Sequence, residues 1–401
     1  YFAVTGGSFN AQYYQIGSTS SAGLSLQGFT TVTSLANGSF ILSIPSGGTS
    51  LTLSSTTLSL PANNLMQIQQ VKFATTTGVT SGFNVSVPVA PTSTASFWWF
   101  RNHYGSLAGE AYDSDPGPNS GNPGYVHWDD SGYNITVAGN VYADHGNTPI
   151  GNPPCDGSSV VTILVGANTY TGSCNASTGA YSIPNVQFTG DVVMTTYINN
   201  VAGKKAVTVT KTPTANISDL NLFQNALIVR HEGVTPIGIV DLAAFDSVKD
   251  SDIFFSASTS TNTVIVQPGN ELYIWTGKTF VPGGNVTLQS GGTGGAFDGR
   301  LFMATSSVFT AAGSQSHSIG GGLFVQQGAT FTPANATLTF TATTTGKSIF
   351  SADPLSLYNA TFNGSGGQWS IDSATGNTFT VTTGFTLTAG TLVGEGDMTV
   401  Q

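Results

Sequence analysis

The sequence predicts an all-β protein: tandem β-sandwich domains followed by a β-solenoid-like (parallel β-helix) C-terminal region. Three observations predict it. Val, Thr, Phe and Tyr suit a pleated, half-buried surface, while the helix formers Glu, Lys and Arg are scarce. Short runs alternate apolar and polar residues and are separated by Gly, Pro, Ser and Asn turn signals. Residues 271–401 repeat one phrase, as "GKTFVPGGNVTL", "SSVFTAAGSQSHSI", "GATFTPANATLTF" and "GFTLTAGTLVGEGDMTV".

At 401 residues the chain exceeds one ordinary domain. The pattern divides it into a jelly-roll-like sandwich (1–132), a second sandwich (133–215), a connector or solenoid cap (216–270) and solenoid-like repeats (271–401). Ser and Thr number 100 and Gly 50, but charged residues are only 7%, against about 25% in ordinary domains. A 39% hydrophobic content arranged in alternation argues against disorder. The net charge is −10, and the only adjacent bases are Lys204 and Lys205. That excludes nucleic-acid binding by phosphate neutralisation. No apolar run reaches the ~18 residues of a membrane span. The chain carries no signal peptide or initiator Met and starts and stops in strand-like sequence, so a processed piece of a longer secreted protein is expected.

In the first domain, "FILSIPSGGTSLTLSSTTLSLP" (40–61) and "SGFNVSVPVAP" (81–91) alternate with period two. "NNLMQIQQVKFA" (63–74) reads as a short helix or as a strand. "FWWFRNHY" (97–104) puts large aromatics on both faces of one strand, which suits a central, doubly buried strand. Its functional reading is a sugar-binding platform of Trp98, Trp99 and Tyr104, joined by Trp128. The loop after it concentrates Glu110, Asp113, Asp115, Asp129 and Asp130, with Asn119 between them. Clustered carboxylates and amide oxygens are what Ca²⁺ requires, so these six are candidate ligands. No Glu closes a twelve-residue EF-hand loop, and a solvated acidic turn is the alternative.

Further strands are expected at 135–142, 159–165, 180–183 and 191–198. Cys155 and Cys174 are the only cysteines. A disulfide between them suits an oxidising compartment, and buried thiols are the alternative. The order "VAGNVYAD", a Pro-Ile turn, "VVTILV" and "STGAYSIPNV" resembles the carboxypeptidase regulatory-like (transthyretin-like) β-sandwich. Gly139, Val141, Gly179, Tyr181 and Ile183 carry the likeness. It implies a spacer or stabilising module without catalytic residues. Related surface modules carry Lys–Asn isopeptide bonds, for which Lys204, Lys205 and Lys211 are available.

Between 240 and 258, Leu242, Phe245, Val248 and Ile253 approach helical spacing. Arg230, His231 and Glu232 read as a local ion pair rather than a catalytic dyad. In the last third, Phe280, Phe309 and Phe331 recur 29 and 22 residues apart, and Phe385 with Leu387 continues the series. Coils of about 20–30 residues suit a parallel solenoid, in which each coil buries its apolar face only by stacking on its neighbours. "LIVRHE", "LYIWTGKTFVPGGNVTL" and "SLYNATFNGSGGQWSI" resemble the repetitive segments of large bacterial extracellular surface proteins. That resemblance implies an envelope, sheath, filament or adhesive role.

No GxSxG, HExxH or P-loop pattern occurs, and "GGTGGAFDG" does not precede a helix that could cradle phosphate. The expected function is non-enzymatic: a secreted structural subunit of a cell-surface layer, sheath or filament. Copies would self-associate by strand and solenoid stacking, with Tyr1, Phe2 and Val4 in the assembling strand. One alternative is an adhesin or carbohydrate-binding surface protein with glycan partners. The other is a β-helical polysaccharide-degrading enzyme or tailspike, using Asp298, Arg300 and Lys278 or a convergence of Asp298, Asp353 and Asp372. Nine N-x-S/T sequons permit glycosylation, at about their chance number.

Overall fold

The computed structural model describes residues 2–18, 21–53, 65–79, 81–88, 97–115, 125–129, 133–188, 192–211, 216–292, 295, 297–373, 378–394 and 398–400. Their regular structure is almost wholly strand. The helical pieces among them are the single turns Glu110–Tyr112 and Ile239–Leu242. The chain forms two compact units, Tyr1–Asn134 with Gln187–Asp191, and Ile135–Val186 with Val192–Gln401.

The first unit holds β1 (Phe2–Gln12), β2 (Gln15–Ser18), β3 (Leu24–Ala36), β4 (Gly38–Leu42), β5 (Thr49–Leu53), β6 (Leu65–Gln69), β7 (Val71–Thr75), β8 (Phe83–Ser86), β9 (Phe97–Arg101) and β10 (Val126–Asp129). They form three ladders, β1–β3–β5–β8, β2–β4–β7 and β6–β9–β10. Every pairing among the described residues of this unit is parallel. A jelly roll would pair its strands antiparallel. Alternation specifies which face of a strand is buried but not the direction of its partner. Leu24, Leu51 and Val85 share one row although 27 and 34 residues separate them, enough chain for the crossover that parallel pairing demands. The described part of segment 63–74 forms two strands, β6 and β7, with Gln70 at φ 52° between them. The row residues are fully buried, as are Phe40 and Phe73, whose rings stack at 5.3 Å.

The second unit begins with β11 (Tyr133–Tyr142), β12 (Val161–Val165), β13 (Asn168–Gly172), β14 (Ala180–Phe188), β15 (Val193–Ile198) and β16 (Val207–Lys211). β12 pairs antiparallel with β13 and β15, and β15 with β16. β11 lies between β14 and β17 (Leu222–Phe223) in a separate sheet. The five residues singled out in this stretch have steric or packing reasons. Gly179 sits at φ 72°, and a Cβ there would fall 2.2 Å from the Val141 carbonyl oxygen; at Gly139 it would fall 2.4 Å from that of Leu220. The Tyr181 hydroxyl donates to the same Leu220 carbonyl, and Val141 and Ile183 are buried. Cys155 and Cys174 are joined as a disulfide across 19 residues; closing such a loop stabilises by about 3 kcal/mol in the chain-entropy treatment.

Both sheets continue into the coils of the C-terminal half. β11 pairs parallel with β17, and β16 pairs parallel with β18 (Ala226–Val229). The remaining strands are β19 (Phe255–Ser258), β20 (Thr263–Val266), β21 (Glu271–Ile274), β22 (Thr279–Phe280), β23 (Asn285–Leu288), β24 (Leu301–Met303), β25 (Val308–Thr310), β26 (Ser316–Ile319), β27 (Leu323–Val325), β28 (Thr330–Thr332), β29 (Thr337–Phe340), β30 (Lys347–Ser351), β31 (Leu355–Ser373), β32 (Phe379–Gly394) and β33 (Met398–Val400). Successive coils visit three parallel ladders in turn. One carries Leu227, Leu272, Leu301, Leu323, Ile349 and Ile371 in a single buried row. A second aligns Leu288, Ile319, Phe340 and Phe362. The third aligns Phe280, Phe309 and Phe331, as their spacing predicts. Phe385 departs from that series: it pairs with Ala360 in the second ladder. The coils differ in length, so spacing alone cannot assign a distant Phe to a ladder. Of the expected helix near 240–258, only the turn Ile239–Leu242 forms.

His317 lies inside the second ladder, 2% exposed, opposite Leu338. Its Nδ1 accepts the Val286 backbone N–H at 3.2 Å. Burial pushes its pKa down from 6.5 to about 4. The unfolded chain therefore takes up this proton near pH 6.5 and the folded chain only near pH 4. Stability is full above pH 6.5 and falls as pH drops towards 4, by about 3 kcal/mol in total. Urea unfolding at pH 7 and pH 4.5 should show this slope, and His317→Leu should remove that share of it. An identical slope in the variant would refute the assignment.

Candidate functional site

In the first unit, β9 and β10 bring two distant segments together. Trp98 faces Val126, Trp99 faces His127 and Phe100 faces Trp128. Trp98 is 2% exposed and belongs to the core. Trp99 stacks on His127 at 5.3 Å and carries the Arg101 guanidinium 5.1 Å from its ring centre. Trp128 stacks on Phe100 at 4.8 Å, and its Nε1–H donates to Asp113 at 2.7 Å. Tyr104 bridges the backbone of Lys72. Of these four aromatics only Trp98 is buried; Trp99, Tyr104 and Trp128 are half-buried, with Trp128 packed against the core. The strongly exposed aromatics nearby are Phe83 and Tyr112, at 45% and 40%. They flank a cleft that local patterning does not reveal, because its walls come from four separate segments.

The acidic loop is partly described. Asn119 and Asp130 lie outside the described residues, and for Asp129 only the backbone is placed. Asp115 accepts the Val126 N–H at 2.7 Å. Burial pushes the Glu110 carboxyl up to about 7, helped by the charges of Asp113 and Asp115. Burial also lifts Asp113 to about 6, against the lowering effect of its bond from Trp128. Among the described residues, no group of three or more His, Cys, Asp or Glu side chains has the geometry to hold a metal ion.

In the second unit several charged residues are paired with one another and others with backbone or hydroxyl groups. Glu271 is fully buried. It accepts from Arg300 Nε at 2.7 Å, and its other oxygen lies 2.5 Å from His145 Nε2. Asp298 accepts from the N–H groups of Gly269 and Gly291 at 2.9 and 2.6 Å and lies 3.7 Å from Lys347 Nζ. It therefore ties down the Gly-rich loop that lengthens one coil. Asp353 accepts from Gly328 N–H, and Asp372 from the Ser348 and Ser370 hydroxyls. Asp298 and Arg300, adjacent in the expected lyase-like set, serve different partners. Arg230 pairs with Glu232 at 2.8 Å, the local ion pair the sequence suggests. His231 holds Gly233 and Thr279 through its two ring nitrogens. Lys211 pairs with Asp241 at 2.8 Å.

The outermost described rungs differ from the rest. Phe2 continues the row of Leu24, Leu51 and Val85, yet it is 62% exposed. At the other end Leu387 continues the row of Phe340 and Phe362 at 47%, and Val400 continues that of Leu357 and Val381 at 50%. These are core-row residues with no rung stacked on them among the described residues. No charged residue precedes Lys72, and none occurs from 373 to 394. Among the described residues no helix is long and apolar enough to cross a membrane. No protein-family model, curated protein or solved structure matches this chain.

Proposed function

We propose that the chain is a secreted structural subunit of a cell-surface layer, sheath or filament, self-associating by strand and solenoid stacking. In this reading it is not an enzyme. An observation that supports it is that Phe2, Leu387 and Val400, in rows whose other members are buried, leave apolar positions on which a further strand can stack. Natural edge strands are protected by charge, proline or bulges. β1 and the second half of β32 carry apolar groups and neither charge nor proline, and irregular register in their pairings is the one such protection they have. A parallel strand from a neighbouring copy would satisfy both the backbone edge and the apolar row. The Cys155–Cys174 disulfide is consistent with an oxidising, extracellular location.

The test is sedimentation and electron microscopy of the chain across a concentration series. The wild-type chain should form polymers. Phe2→Lys and Val400→Lys should each raise the concentration needed by at least about tenfold, because edge lysines oppose pairing. A wild-type chain that stays monomeric throughout, or variants that assemble like it, would refute the reading.

A further inference from the structure

The cleft in the first unit is independent of the terminal rungs and of the proposed assembly. Its volume is about 730 Å³, within the range of about 300–1,000 Å³ typical of small-molecule sites. Ser46, Thr75, Ser81 and Ser106 contribute hydroxyl-bearing side chains to its lining, and Phe83 and Tyr112 contribute rings. None of the described lining residues is charged.

We propose that this cleft binds a neutral saccharide. A pyranose has a C–H face that stacks on an aromatic ring and a rim of hydroxyls that both donate and accept. Phe83 and Tyr112 supply the ring surface, and both are already more than a third exposed. The hydroxyls supply the polar complement. Thr75 and Ser106 stand 3.2 Å apart, and the Ser106 hydroxyl also accepts the Thr75 N–H at 3.0 Å. This fixes the Ser106 oxygen while leaving it bonding capacity for a ligand. The absence of a charged group among the described lining residues selects against uronic acids, sulfated sugars and amino sugars with a free amine, which would surrender hydration without gaining a counter-charge.

The experiment is isothermal titration of the full chain with neutral gluco-, galacto-, manno- and N-acetylglucosamine oligosaccharides, alongside galacturonate oligomers. A saturable response to at least one neutral series and none to the uronate is expected. Phe83→Ala and Tyr112→Ala should each weaken it at least tenfold, with thermal unfolding unchanged because both side chains are exposed. Ser46→Trp, which fills the cleft and keeps both rings, should abolish it. Trp99→Phe should leave it intact. Absence of binding to every neutral series at 10 mM, preference for the uronate, or binding indifferent to Phe83, Tyr112 and Ser46 would each overturn the proposal.

Discussion

Replacing Arg300 with methionine is expected to lower the unfolding free energy of the second unit by about 3–5 kcal/mol. Glu271 is fully buried, and Arg300 is its cationic partner at 2.7 Å. Without the guanidinium, a buried carboxylate is left leaning on His145 alone. The arginine also lies 5.1 Å from the Phe297 ring centre and 5.0 Å from that of Phe302. Methionine keeps some of that packing and none of the charge. Urea unfolding of wild type, Arg300→Met and the double variant with Glu271→Leu separates the two effects. The double variant should recover at least half of the loss, since replacing both partners removes the stranded charge. A loss below about 1 kcal/mol in the single variant would show that Glu271 carries no unpaired charge when Arg300 is gone.

Phe309→Ala is expected to cost a similar amount, about 3–5 kcal/mol. Phe309 is the middle member of its row, 1% exposed, with ring centres of Phe280 at 5.7 Å and Phe331 at 5.0 Å. Truncation opens a cavity bordered by two coils that are held apart by their own ladders. The walls can collapse only by breaking backbone pairing, so relaxation is limited. Val248→Ala, at a side chain 88% exposed, should stay within about 0.5 kcal/mol of wild type. If the two substitutions cost the same in chemical denaturation, the row is not a continuous core.

The spacing of Phe280, Phe309 and Phe331 was legible because a stacked coil returns the same side chain to the same inward position. That periodicity survives irregular loops as long as each loop lies outside the three strands compared. Phe385 broke the inference because two different ladders both use inward Phe. The acidic segment was legible as a cluster, but not the work its members do. Asp113 receives the Trp128 indole and Asp115 the Val126 amide, contacts set by the β9–β10 pairing rather than by local spacing. His317 could not be told from an exposed histidine, since its burial depends on which row the third coil places it in.

By itself the sequence determined the all-β class, the turn positions and the inward Phe row of the C-terminal third, and it narrowed the two cysteines to a disulfide or buried thiols. These follow from local rules: β-branched and aromatic residues suit strands, glycine and asparagine suit turns, and period two marks one buried face. Only the tertiary structure decided that the described strands of the first unit pair in parallel. It alone decided that Trp98 joins the core while Phe83 and Tyr112 flank a cleft, and that Phe2, Leu387 and Val400 stand unburied on the outermost described strands. The physical reason is common to all three. Alternation states that a side chain needs a partner surface, whereas strand direction and long-range register decide which surface it meets.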